Sequence, residues 1–175
     1  MVVDCTDGEV ARWQNKFSAT GIFLDKVAHY TVEGLVPIAL GIRAAGGLSS
    51  FSENPTWWPW LGACVSVLVL LNKSLNDSVH VSRALSGMEK LQDVRGVSTP
   101  QNSLLSSLRK VTRVIPFQRI FHSIEMTALA LVAAIYDNAL GSTAGTQNLV
   151  IALLVLSAVT VIGHFLSILS SSRLK

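Results

Sequence analysis

Two pairs of side chains stand out in an otherwise oily sequence. His29 and Glu33 are four residues apart, and His122 and Glu125 are three apart. On a helix each pair shares one face. A fifth group, His164, falls inside the cleanest apolar run of the chain. Ionisable groups at membrane depth are costly, so five of them mark a candidate site. A layer of three imidazoles and two carboxylates can ligate haem through two histidines, bind a quinone carbonyl or relay protons. Ubiquinone, haem or a bound phospholipid are therefore its candidate ligands. The other reading is that the groups lie shallow enough to reach headgroups or to pair with one another. No metal is expected, because carboxylate-bridged metal bundles use Glu-x-x-His and the order here is reversed.

These residues need helices to place them. Half of the 175 residues are apolar and 14% are charged, well below the share that covers a soluble surface. Mean hydropathy is +0.47. The expected fold is all-α and polytopic, with about four transmembrane helices arranged as two hairpins plus amphipathic interfacial helices. Residues 1–22 form an N-terminal amphipathic segment, with Thr6 and Glu9 at capping-box spacing and Val10, Trp13 and Phe17 on one stripe. Residues 23–73 form the first hairpin. Its second span opens at Trp57, Trp58 and Trp60 and reaches Asn72 and Lys73 early, so it reads as short.

Residues 74–116 connect the hairpins. Val81, Leu85, Met88 and Leu91 make one apolar stripe, and Leu104, Leu108, Val111 and Ile115 another, backed by Arg109, Lys110 and Arg113. Residues 117–175 hold the second hairpin. Of the fourteen Lys and Arg residues, all but Arg43 fall on the side that holds both termini. That bias places the termini in the cytoplasm, or in the matrix of a mitochondrion.

Other classes are excluded or unsupported. A net charge of +3 is too small to suggest nucleic acid. Cys5 and Cys64 do not make a disulfide framework. The N-terminus carries Asp4, Asp7 and Glu9, unlike a secretory signal or an acid-poor presequence, so either targeting is internal or the mature chain begins at Met1. Cys-x-x-Cys, Gly-x-Ser-x-Gly, phosphate-loop and His-Glu-x-x-His signatures are missing.

One stretch resembles a known family. Asp25-Lys26-Val27-Ala28 followed by Gly34-Leu35-Val36-Pro37-Ile38-Ala39 is similar to the first membrane helix of the small anchor subunit of succinate dehydrogenase. Asp77-Ser78-Val79-His80 is similar to that family's Asp-Tyr-Val-His, with Ser78 where its quinone-binding tyrosine stands. The resemblance implies a mitochondrial inner-membrane protein near a ubiquinone site. The expectation is thus a non-catalytic accessory or anchor subunit of a respiratory, electron-transport complex, partnered by other subunits and the lipid bilayer. A quinone-site anchor of complex II, a small transporter or proton-handling protein, and a membrane-shaping protein are the alternatives.

Overall fold

A computed structural model describes residues 13, 18–53, 56–89, 120–171 and 174. Most of the N-terminal amphipathic segment, and the stripes from Leu91 to Ile115, lie outside the described residues. Five helices are described: α1 (Ala19–Ala44), the short α2 (Leu48–Glu53), α3 (Trp58–Leu85), α4 (Ser123–Leu140) and α5 (Ala144–Ser170). The protein is all-α, with no strand among the described residues.

Local chemistry sets the boundaries. Ser18 caps α1 by accepting a hydrogen bond from the Gly21 amide at 3.0 Å. Gly46 and Gly47 adopt positive φ after α1, and Gly141 (φ 61°) closes α4 in the left-handed conformation. Pro59 sits in the first turn of α3, where its missing amide costs nothing.

α3, α4 and α5 are each long and apolar enough to cross a membrane. The helix that holds the second span does not stop at Lys73. It continues to Leu85, 28 residues and about 42 Å in all. Val81 and Leu85, read from sequence as an interfacial stripe, are its last turns and are exposed. α1 has 26 residues but carries Asp25, Lys26, Glu33 and Arg43. The surface is oily: Ile151, Val155, Val159, Ile162 and Leu169 of α5 all point outward. Contiguous exposure of this kind suits lipid, and the chain is a polytopic membrane protein.

α1 packs on α3, α3 on α5, and α5 on α4, around a core of Leu40, Val65, Val69, Met126, Val150 and Leu153. Where α1 crosses α3 the backbones touch at Gly41 and Gly62. A Cβ on Gly41 would lie 2.5 Å from the Trp58 carbonyl oxygen, and one on Gly62 would strike the Pro37 carbonyl. Small residues allow this approach, which gives dispersion contacts where the hydrophobic effect gives none.

A polar lock closes the far end. Asp137, at the end of α4, is 4% exposed. It accepts hydrogen bonds from the Gly145 amide at 2.6 Å and from the Thr146 amide and hydroxyl at 3.2 and 2.5 Å. It thereby satisfies the orphan amides at the start of α5. Arg43 of α1 donates from Nε to the Thr146 hydroxyl at 3.2 Å and brings Nη2 within 3.8 Å of Asp137. Gln147 donates to the Ala44 carbonyl at 3.1 Å. Asp137→Ala removes the cap and leaves Arg43 facing no carboxylate here. It is expected to cost about 2–4 kcal/mol, read as a lowered unfolding midpoint in mild detergent.

Candidate functional site

The opposite end of the bundle gathers most of the polar groups. Glu33 of α1 is fully buried, 0% exposed. Lys73 reaches it from α3 at 2.5 Å, and His122, the residue before α4, places Nδ1 3.6 Å from its other oxygen. Neither carboxylate oxygen has a directional hydrogen bond, and the Lys73 ammonium is the cation that faces them. Lys73 Nζ also lies 5.5 Å from the centre of the Tyr30 ring, a cation–π distance.

Tyr30 carries the network outward. Its hydroxyl donates to Asp77 Oδ2 at 2.8 Å, and Lys26 donates to Asp77 Oδ1 at 2.6 Å. Lys26 and Asp77 are both about half exposed, so that pair positions more than it stabilises. One turn before Glu33, His29 turns Nδ1 toward the carbonyl oxygen of Asp25 at 3.0 Å and its carboxylate at 3.3 Å. Both are acceptors, so Nδ1 is the nitrogen that carries a proton.

The five residues singled out from sequence are thus divided. Glu33 and His122 meet. His29 faces Asp25 instead, and His164 of α5 sets Nδ1 2.8 Å from the Asn72 side-chain oxygen, next to Lys73 in sequence. Glu125 lies half-buried in the first turn of α4, where a carboxylate complements the helix dipole. The imidazoles share an end of the bundle, but each faces a different partner, and a lysine occupies the middle. No three His, Cys, Asp or Glu side chains converge as a metal site among the described residues.

Sequence reasoning missed Lys73, Tyr30 and Asp77 as members of this network. Lys73 reads as a span end when Glu33, on another helix, is out of view. Replacing Lys73 by Met would strand a buried carboxylate, at an expected cost of about 3–5 kcal/mol. The double change Lys73→Met with Glu33→Leu should recover most of it. Unfolding midpoints in detergent test both.

The acidic spacing was also missed. Asp4 and Asp7 are three apart and followed by Gly8, and Asp25 and His29 are one helical turn apart. Carboxylates so grouped suit a hard cation and the phosphates it neutralises. Asp77 is held by Lys26 and Tyr30, and Glu33 by Lys73, whereas Asp25 is 57% exposed and faces His29. Among the described residues Asp25 is paired with a histidine and with no lysine.

No curated protein and no solved structure matches the chain. A family model does: CDP-alcohol phosphatidyltransferase, over residues 1–171. That match overturns the succinate dehydrogenase resemblance, which rested on about twenty residues of helix-boundary pattern. The Asp25-Lys26 pair is therefore not an anchor signature. The accessory-subunit reading falls with it, as do the respiratory-chain, electron-transport and complex II assignments, and neither the transporter nor the membrane-shaping alternative fits better. Matched over nearly all of its length, the chain belongs to the CDP-alcohol phosphatidyltransferase family.

Proposed function

We propose that this chain transfers a phosphatidyl group from a CDP-linked lipid to the hydroxyl of an acceptor alcohol, at the end of the bundle marked by Asp25 and His29. The family match over residues 1–171 carries this reading. The acceptor oxygen attacks the lipid-side phosphorus of the pyrophosphate. A new P–O bond forms, the bond to the CMP oxygen breaks, and CMP leaves. The acceptor's proton departs at this open corner, where His29 is the adjacent imidazole.

Such transfer depends on positioning and on neutralising charge more than on covalent chemistry. Asp25, exposed and without a lysine partner among the described residues, fits as an oxygen donor to a divalent cation; Asp4 and Asp7 are further carboxylates in the sequence. When bound, the cation would offset the charge that builds on the departing phosphate. Lys26, one residue from Asp25, keeps α1 in register with Asp77 of α3.

The test is CMP release by the purified chain in detergent–lipid micelles supplied with CDP-diacylglycerol, Mg²⁺ or Mn²⁺, and a panel of alcohols. CMP is expected to appear only when donor, cation and an alcohol are all present. No release with any acceptor would overturn the proposal.

The Lys and Arg bias also supports an orientation in which both termini and the Asp25 end face the cytoplasmic side, or the matrix if the membrane is mitochondrial. The mitochondrial setting loses the support of the anchor resemblance. A tag at either terminus found on the Arg43 side would refute the orientation.

A further inference from the structure

Between α1 and α3, beside the Lys26–Asp77 pair, lies a cleft of about 470 Å³ lined by Tyr30, Ser74, Asp77, Ser78, Val81 and Ser82. Its size falls within the roughly 300–1,000 Å³ of small-molecule sites. Four of the six lining residues carry a hydroxyl, and one carries a carboxylate. Ser74, Ser78 and Ser82 recur every fourth residue, so their hydroxyls rise along one face of α3. All three are exposed, on the polar last turns of α3 that also carry Asn76, Asp77, His80 and Arg83. Hydroxyls grouped along a cleft can exchange hydrogen bonds with a polar occupant.

The charges around the cleft select the kind of occupant. A phosphorylated alcohol needs an uncommitted Arg or Lys. Among the described residues the only charged one lining the cleft is Asp77, which would repel it, and the adjoining Lys26 is already bonded to Asp77. A quaternary or primary ammonium needs a carboxylate or an open aromatic face. Here Lys26 holds the carboxylate, Lys73 covers the Tyr30 ring, and His80 stands a turn along α3 from Asp77. Neither sign of charge is welcome. A neutral polyol, by contrast, can donate to Asp77 and exchange hydrogen bonds with Tyr30 and the three serines.

Resting on the transferase reading, we propose that this cleft is the acceptor site and that the acceptor is a neutral polyol. Tyr30 follows His29 directly, so an alcohol held here lies beside the corner assigned to phosphoryl transfer.

The test uses the full chain in detergent–lipid micelles. Equilibrium dialysis measures binding of labelled myo-inositol, glycerol, glycerol 3-phosphate and choline. In parallel, CMP release from CDP-diacylglycerol is followed with each as acceptor. Saturable binding is expected for a polyol and not for the charged alcohols. Ser78→Val, and Ser74→Val combined with Ser78→Val, should weaken it about tenfold each and raise the polyol KM by a like factor, with kcat changed far less. Unchanged unfolding midpoints would show that these exposed substitutions leave the fold intact. CMP release that prefers glycerol 3-phosphate or choline, or that ignores the serine substitutions, overturns the acceptor assignment and leaves the transferase reading standing. Saturable polyol binding, lost in the variants but without CMP release from any alcohol, overturns the transferase reading and retains the polyol site. Neither binding nor release overturns both.

Discussion

Asp25→Asn is expected to lower CMP release by roughly 10²–10³-fold, the loss seen when one charge-stabilising group is removed from a preorganised site. The substitution keeps the shape of the side chain and the backbone carbonyl that His29 Nδ1 faces at 3.0 Å. It removes only the negative charge. Because Asp25 is 57% exposed and makes no contact with the core cluster, the unfolding midpoint should stay put. The diagnostic result is a folded protein with collapsed turnover, and raised Mn²⁺ should recover part of the activity if the carboxylate is a cation ligand. A variant that turns over normally would remove Asp25 from the site, and with it the proposed location of the chemistry.

The second large effect is structural. Gly62→Ala should destabilise the bundle by about 3 kcal/mol or more. The added methyl would strike the Pro37 carbonyl oxygen and come within 3.0 Å of the Gly41 Cα. All are backbone atoms, so no side-chain rotation relieves the clash, and α1 must move away from α3. That movement also separates Lys26 from Asp77 and Glu33 from Lys73, so turnover should fall with stability. Gly163→Ala is the matching control. Nothing lies within 4 Å of a Cβ there, and mid-helix alanine is favoured over glycine by about 0.5–1 kcal/mol. Equal midpoints for the two variants would mean that the α1–α3 crossing is not a close backbone contact.

These two cases show what the sequence makes legible. Apolar runs reveal four of the helices, because nothing but lipid or protein can surround Leu61–Leu71 or Leu149–Leu156. They do not reveal where α3 ends, since Asn72 and Lys73 look like a boundary until Glu33 and His164 are seen across the interface. Of the expected polar layer, the Glu33–His122 meeting was within reach, because the first and third spans enter from the same side and bring those groups to one end. The central lysine was not, as its role depends on a partner forty residues away. Arg43 was legible only as an outlier of charge topology; Asp137 and Thr146, which explain it, lie some hundred residues on. The chemistry stayed hidden for a different reason. In the sequence Asp4 and Asp7 bear on targeting and Asp25 on the anchor resemblance, and nothing there groups them as phosphate-handling carboxylates. The family match supplied the reaction class that gives their spacing a meaning.

The ion pair between Glu33 and Lys73 has a consequence for biogenesis. A charge near the middle of a nascent segment costs about 2.5–3.5 kcal/mol when it partitions alone from the translocon into bilayer. α1 is not apolar enough to qualify as a span by composition, whereas α3 is. Glu33 is expected to stay beside the aqueous channel until Lys73 has been synthesised and can neutralise it. The first two long segments are then expected to leave the channel together, after the ribosome has passed Lys73, and a truncation before Lys73 should leave the first segment extractable by carbonate.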